Sequence, residues 1–369
     1  MASSVDTESA LTSLDVLIPV DLKRSLRTPE TEVMEALHNS GSITKISIVA
    51  KANKHDQKRR LGNSVLLARW LEQHGSQLTE LVLSMQEAQE VELVLSLFKC
   101  PNLQLTKLLV SAADFPSDLL LKLPASLKAF SGHLGAHGDL APFVALPNLQ
   151  MLAVRCYPIH KYDGRFTTAA IPAALLHHPS LQFLIIDASS SVYITKSDDV
   201  SPDEPVSKLK LLGITGDLVT ADVQAMIASA PDLQHLCLRC APLSQMCGAS
   251  EQTCMNLDLG KLVDLRATEL GFPHMGTKFC GLQQLPKLSA VLLCGQFGAH
   301  LPALPKALAN AENEPAPELM EGRVIVRRAM VAGTHEKYKI NESMSMQHNQ
   351  LITEPAKLAE LSDLIIHGA

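Results

Sequence analysis

Aromatic side chains are scarce in this chain of 369 residues, at 4% of the total with a single Trp. A core must therefore be built from aliphatic side chains, which are plentiful because 46% of the residues are hydrophobic. Charged residues make up only 19% and leave a net charge of −6. A chain without basic excess lacks the electrostatic footprint of a general binder of nucleic acid or anionic membranes, so we expect neither partner.

Long apolar runs, a basic leader and dense cysteines are missing as well. No uninterrupted apolar run reaches the roughly 18 to 20 residues of a membrane span, and the first residues lack the pattern of a secretory signal. Eight cysteines in so long a chain do not form a disulfide framework, which favours a reducing compartment. We expect a cytoplasmic protein, and the basic stretch 51–60 adds the nucleus as an alternative.

A short apolar motif, L-x-x-L-x-L, recurs through most of the chain. Its ten copies begin at Ile43, Leu78, Leu105, Leu127, Leu149, Leu181, Leu209, Leu233, Leu262 and Leu288. They lie on average about 27 residues apart, a period typical of repeats built from one strand and one helix. Pro-x-Leu precedes or opens several copies, and proline ends a helix. The stretches with helical periodicity between copies are Ser64–His74, Ala88–Phe98, Ala169–His177 and Ala221–Ala230.

The pattern resembles leucine-rich repeat proteins of the ribonuclease-inhibitor-like class, and within them the repeats of F-box proteins. Residues 212–217, 227–233 and 99–103 carry that likeness. The resemblance implies an α/β solenoid of about ten repeats, with parallel strands on a concave face and helices on a convex face. It also implies an alternative function, the substrate-recognition subunit of a cullin-type ubiquitin ligase, for which residues 14–26 are the candidate F-box.

Three regions follow from the repeats. The predicted regions are an N-terminal cap with a lead-in helix over Thr28–Asn39 (residues 1–42), the solenoid (43–305), and a tail of linker, short hairpin and helix (306–369). Two polar loops, 49–61 and 187–206, interrupt the solenoid. The last helix is predicted over Glu354–His367, where it either caps the solenoid or acts as a separate recognition segment.

Signals for catalysis and metal binding are weak. Four cysteines offer one short pair, where a structural zinc site usually has two: Cys237, Cys240, Cys247 and Cys254. Residues 132–138 predict a glycine-rich bend with two exposed histidines, and His177 and His178 end a predicted helix, where histidine favourably meets the helix dipole. The sequence contains no nucleophile elbow, phosphate loop or dinucleotide fingerprint. We predict no catalytic residue, no metal and no cofactor.

The variable positions of the motif predict a binding surface. Their side chains point away from the core, onto the concave face, because alternate residues of a strand face opposite sides. The predicted partner-binding residues are Met151, Phe183, Ile185, Leu211, His235, Arg239, Asp264 and Arg266. An apolar strip rimmed by charge is typical of a protein–protein interface, so we expect a non-enzymatic scaffold. The alternative is that loop 187–206 folds over the strip and buries it.

Overall fold

Strands alternate with short helices along the chain. A computed structural model of the protein describes residues 13–18, 43–50, 64–84, 87–135, 137–156, 168–195, 207–218, 220–239, 256–272, 278–288 and 290–295. The described residues divide into two compact units, named here the N-terminal unit (up to His133) and the C-terminal unit (from Leu134). The helices predicted over Thr28–Asn39 and Glu354–His367, and the whole region 306–369, lie outside the described residues.

The N-terminal unit contains parallel strands that follow one another in chain order. They are β1 (Ser13–Ile18), β2 (Lys45–Ala50), β3 (Glu80–Ser84), β4 (Lys107–Asp114) and β5 (Ala129–His133). The described helices of this unit are α1 (Val65–His74), α2 (Glu87–Leu97) and α3 (Ser117–Leu120). The helices predicted over Ser64–His74 and Ala88–Phe98 are thus confirmed to within one residue at each end.

The C-terminal unit contains an open parallel sheet and a separate strand pair. The sheet strands are β6 (His137–Asp139), β7 (Met151–Cys156), β8 (Thr168–Pro172), β9 (Phe183–Thr195), β10 (Leu211–Leu218), β11 (His235–Arg239), β13 (Ala267–Phe272) and β15 (Ala290–Gly295). The pair is β12 (Asn256–Asp258) with β14 (Lys278–Cys280), and the described helices are α4 (Ala141–Val144), α5 (Ala173–Leu176) and α6 (Thr220–Ser229). The predicted α/β class with parallel strands is confirmed.

The leucines of the motif form the core side of each unit. Strand register aligns the middle leucine of neighbouring copies: Ile46, Leu81 and Leu108 in the N-terminal unit, and Leu152, Leu184 and Leu212 in the C-terminal unit. Each of these side chains is at most 1% exposed. Full burial of one such side chain contributes about 1.5–3 kcal/mol, so these columns of aliphatic residues are the main source of stability.

A backbone pattern fixes the frame of each motif copy. The carbonyl oxygen of Thr44 accepts hydrogen bonds from the N–H groups of Thr79 at 2.7 Å and Glu80 at 3.1 Å. The carbonyl of Gln150 accepts from Gln182 at 2.9 Å and Phe183 at 3.1 Å in the same way. The carbonyls with the same double acceptance are those of Thr79, Thr106, Gln182 and Lys210. The residue after the first leucine therefore marks the start of each strand.

The copy predicted to begin at Leu262 is out of frame by three residues. The N–H of Arg266 donates to the carbonyl of Gln234 at 2.8 Å, so Leu265 is the first position of this copy. Strand pairing agrees, since it puts Thr268 at the core position that leucine fills in β11. Because Leu262 and Leu265 lie three residues apart, the leucine pattern fits both frames, and Thr268 removes the leucine that would mark the correct one.

The first strand lies inside the region predicted to be an N-terminal cap. β1 pairs with β2 in the frame of the motif, with Leu14 beside Ile46 and Val16 beside Ile48. The sequence itself carries the signal, because Leu11-x-x-Leu14-x-Val16 fits the motif. A count of copies that starts at Ile43 misses it, and the strand begins where the F-box-like stretch was expected.

The C-terminal unit has a second line of strand pairing. The end of β9 pairs with β8, with Ala169 beside Val192, and β8 pairs with β6. The helix predicted over Ala169–His177 is therefore wrong in its first half, and only Ala173–Leu176 is helical. Pro172 explains the break, because proline restricts the backbone and favours the start of a helix over its interior. Residues 187–195 of the predicted loop 187–206 are instead the end of β9, and residues 196–206 lie outside the described residues.

Candidate partner-binding surface

One row of side chains crosses four neighbouring strands of the C-terminal unit, on the face opposite the leucine core. Register aligns Met151 with Phe183, Phe183 with Leu211, and Leu211 with His235. These four residues are named the apolar row. The second row of the same face contains Ala153, Ile185, Gly213 and Cys237. The structure thus brings six of the eight predicted binding residues onto adjacent strands, five of them in these two rows and Arg239 at the end of β11.

Exposure along these rows is graded. Met151 and Ile185 are fully buried at 0%, as is Ala153, so the exposure expected for them is wrong. Phe183 and Leu211 are half-buried, and His235 is exposed. The strands explain the burial, because β7 and β9 contain continuous apolar runs, and such runs are typical of parallel strands covered on both faces. An incoming partner can contact Phe183, Leu211 and His235 directly.

The corrected frame moves Asp264 and Arg266 off the sheet face. Asp264 lies in the turn before β13, where it forms an ion pair with Lys287 of the next turn. Arg266 lies one residue before the strand, beside the exposed end of the apolar row. In their place the face positions of β13 are Ala267 and Glu269. Sequence reasoning missed these two, since they follow from the frame that begins at Leu265.

The exposed end of the apolar row has a defined electrostatic character. The pKa of His235 is lowered by the atoms packed around its ring and by the positive charge of Arg266. The imidazole is therefore held in its neutral form, in which one ring nitrogen donates a hydrogen bond and the other accepts one. Arg239 ends β11 in the row beyond, but its side chain lies outside the described part of the structure. This end of the surface offers hydrogen bonding together with one exposed guanidinium.

A third, polar row follows the two apolar rows on the same face. Register aligns Arg155 with Asp187 and Asp187 with Thr215. Asp187 is buried at 7% exposure, and Arg155 and Thr215 are partly buried.

Burial, with a smaller contribution from the charge of Asp187, raises the pKa of the Cys156 thiol to about 12. That thiol stays protonated at neutral pH, and a protonated thiol is not a nucleophile.

The equivalent row of the N-terminal unit is charged. Register aligns Lys45, Glu80, Lys107 and Ala129, which are named the charged row. Glu80 lies between the two ammonium groups, with Nζ–Oε distances of 2.5 Å to Lys45 and 3.0 Å to Lys107. Burial opposes ionisation of Glu80, but the hydrogen bonds from both lysines outweigh it and lower the pKa of the carboxyl group. The Lys107 side chain is only 1% exposed.

Two of the histidines singled out in the sequence, His133 and His178, are buried and make polar contacts within the fold. His133 ends β5, is 7% exposed and contacts Asp114 through Nδ1, so the expected bend with an exposed histidine is wrong there. His178 is buried, with Nε2 2.9 Å from the carbonyl oxygen of Leu146, while Nδ1 accepts from the N–H of Ser180 at 3.3 Å. Burial lowers the pKa of His178, and both contacts fit one neutral tautomer.

Metal-binding residues do not cluster in the part of the chain that the structure describes. Within that part, no group of three His, Cys, Asp or Glu side chains could hold a metal ion. Cys237 is buried on the second row at 7% exposure. The other cysteines of the candidate zinc motif, Cys240, Cys247 and Cys254, lie outside the described residues.

The function of this chain has to be inferred from its geometry, because two comparisons with known proteins found no match. No protein-family model matches the chain, and no curated protein matches it either. Among the described helices, none is both long and apolar enough to cross a lipid bilayer. The strongest candidate surface is therefore the accessible part of the apolar row with its polar end.

Proposed function

We propose that this chain is a non-enzymatic leucine-rich-repeat scaffold that binds a protein partner through the sheet face of its C-terminal unit. The repeat architecture is supported by the shared backbone frame, in which one carbonyl accepts two N–H groups from the next copy. Each such copy buries its leucines only against its neighbours, as in a solenoid. The proposal extends this frame to about ten copies and includes the one at Leu11.

One observation carries the binding proposal. Phe183 and Leu211 lie side by side on adjacent strands, both half-buried, and exposed His235 continues the same row. Large apolar side chains held by strands are already ordered before binding. Binding of a partner therefore costs little conformational entropy in this surface. An aromatic anchor beside polar residues is also the usual composition of an interface centre with its rim.

Other chemistry has less support in the described residues. The thiol of Cys156 is protonated, and the contacts of His178 use both ring nitrogens for structure. The ligase-subunit alternative needs a helical F-box near the N-terminus, whereas residues 13–18 form a strand that pairs with β2. Neither an enzyme nor an F-box subunit is therefore favoured over a scaffold.

The proposal is tested by co-purification with a double variant of the tagged full-length protein. Phe183→Asp with Leu211→Asp adds two charges to the accessible row and leaves the fully buried Ile185 in place. Val263→Asp is the matched control, because Val263 is an exposed apolar residue of the same unit, at 54%, in the turn before β13.

We expect the double variant to lose its specific partners at least tenfold by quantitative mass spectrometry, since one hot-spot residue often contributes 2 kcal/mol or more. The control should retain them. Thermal unfolding of all three proteins separates lost binding from lost folding. Full retention of partners by a folded double variant would contradict the proposal.

A further inference from the structure

The sheet face of the N-terminal unit is covered. The face positions of β3, β4 and β5 are Val82, Leu109 and Ser131 in one row, with Lys107 and Ala129 in the charged row. All five are between 0% and 4% exposed. A side chain on the outer face of a sheet reaches such values only when other atoms lie over it.

The described helices of this unit lie on the opposite side. Phe130 belongs to the leucine column, and its ring packs edge-on against Phe115 at 5.3 Å, while Phe115 packs against Phe98, just after α2, at 5.9 Å. The strands follow chain order, and right-handed connections between consecutive parallel strands all fall on one face. The described helices of this unit therefore do not cover Val82, Leu109 and Ser131.

We propose that residues 354–367 form an amphipathic helix that docks on this face of the N-terminal unit. Leu358, Leu361 and Ile365 recur at helical spacing and provide an apolar stripe for Val82 and Leu109. A helix laid in this way would supply the second layer that parallel strands require.

Charge complementarity supports the same occupant. Glu354, Glu360 and Asp363 outnumber the one lysine of the segment, so it is acidic. The three charged side chains of the charged row, Lys45, Glu80 and Lys107, carry a net charge of +1. Carboxylates of the helix placed near this row would offset the cost of burying the Lys107 ammonium group.

The first test is zero-length carbodiimide cross-linking of the unmodified full-length protein, followed by peptide mapping. We expect amide links between Lys45 and one of Glu354, Glu360 or Asp363, because this chemistry joins only an amine and a carboxylate in contact. Lys45 is the reporter, since its side chain is 45% exposed. Links found only in a dimer band would assign the contact to a second copy and overturn the proposal.

The second test measures access to the covered face in the full-length chain. Ser131→Cys puts a nearly isosteric thiol at a position that is 4% exposed, and peptide-resolved alkylation reports its accessibility. Adding Leu361→Asp should raise the labelling rate of this thiol at least tenfold. Adding Leu121→Asp is the matched control, because Leu121 is 79% exposed, and it should leave the rate unchanged.

Two results of the second test would overturn the proposal. Equally slow labelling with and without Leu361→Asp would mean that another segment covers the face. Equally fast labelling in both would mean that the face is open. Loss of partner capture by the Phe183 and Leu211 variant is independent of either result, because those residues belong to the other unit.

Discussion

The charged row and the apolar row occupy equivalent positions on their strands but carry opposite chemistry. In the N-terminal unit, Glu80 joins two lysines, and Lys107 is an almost completely buried ammonium group. In the C-terminal unit, the same positions hold Met151, Phe183 and Leu211. The leucine core is the same in both units, so the motif determines the fold while its variable positions determine what each face can bind.

The backbone frame shows a smaller difference of the same kind. In the N-terminal unit the position after the first apolar residue of the motif is threonine before β2, β3 and β4, and the hydroxyl of Thr106 also donates to the carbonyl of Thr79, at 3.0 Å. In the C-terminal unit, Gln182 and Lys210 occupy that position and use only their backbone N–H groups for this contact. The N-terminal unit therefore depends more on polar interactions and the C-terminal unit more on apolar burial.

The largest expected effect is on the charged row. Glu80→Gln removes the carboxylate from two lysines and leaves the buried Lys107 ammonium group without this counter-charge. We expect a loss of about 3 kcal/mol in the free energy of unfolding, measured by denaturant titration. Glu80→Gln with Lys107→Met should recover most of it, because the buried charge is then gone as well.

An exposed ion pair of the C-terminal unit is the control for this effect. Asp264→Asn removes the contact with Lys287, whose side chain is 55% exposed, and should cost less than about 1 kcal/mol. Equal losses for Glu80→Gln and Asp264→Asn would contradict the difference between the two units.

A second prediction concerns glycines in the two units. Gly281 has a φ of +84°, and a Cβ there would lie 2.4 Å from the backbone nitrogen of Gly260. Gly281→Ala should therefore destabilise the protein by about 2 kcal/mol or more, because backbone atoms cannot easily move away. Gly75→Ala should cost less, since its nearest contact is the end of the flexible Leu97 side chain, at 2.8 Å. Thermal unfolding of both variants measures the difference, and the reverse order would refute it.

The hydroxyl contacts of the N-terminal unit should make a smaller contribution. Thr106→Val keeps the shape of the side chain and removes one hydrogen bond, so we expect a loss of about 1 kcal/mol. Gln182→Val at the equivalent position of the C-terminal unit leaves the backbone N–H contact to the carbonyl of Gln150 in place and should change stability less. The same denaturant titration tests both, and identical losses would show that the hydroxyl does not contribute.

The smallest expected effect is on the pH dependence of stability, which differs between the two units. His178 is neutral in the folded protein with a lowered pKa, whereas in the unfolded chain it binds a proton below about pH 6.5. The stabilisation is complete above that pH and is lost as the pH falls below it. Glu80 has the same kind of effect at more acidic pH. Because its pKa is lowered in the folded protein, its contribution to stability is present above about pH 4.5 and is lost as the pH falls further.

His178→Gln tests the first of these two pH windows. We expect the unfolding midpoint of this variant to fall less between pH 7.5 and pH 5.5 than that of the unaltered protein, since glutamine does not titrate. A variant that falls as steeply as the unaltered protein would show that other groups cause the pH dependence.

Much of the fold could be predicted because the motif reports burial directly. Copies such as Leu78–Leu83 and Leu149–Val154 coincide with strands, since three apolar side chains at this spacing face one core. The predicted frame of the copy at Leu262 is wrong for a local reason, because two leucines three residues apart fit two frames. The strand at Ala169 was read as a helix because a short apolar run lacks a period of its own.

The candidate surface was only partly predictable. Register follows from the motif, so Phe183, Leu211 and His235 could be aligned from the sequence alone. Exposure does not follow from it, because Met151 and Ile185 are buried by contacts that depend on the tertiary structure. The polar row of Arg155 and Asp187 was missed because it lies beyond the end of the motif.

Hydroxyl-radical footprinting tests the central claim most directly, with the tagged full-length protein compared alone and in its affinity-purified complex. The account predicts that partner binding lowers the oxidation rates of Phe183, Leu211 and His235 and leaves those of Val263 and Leu121 unchanged. Protection of Val263 or Leu121 with no change along the apolar row would contradict it.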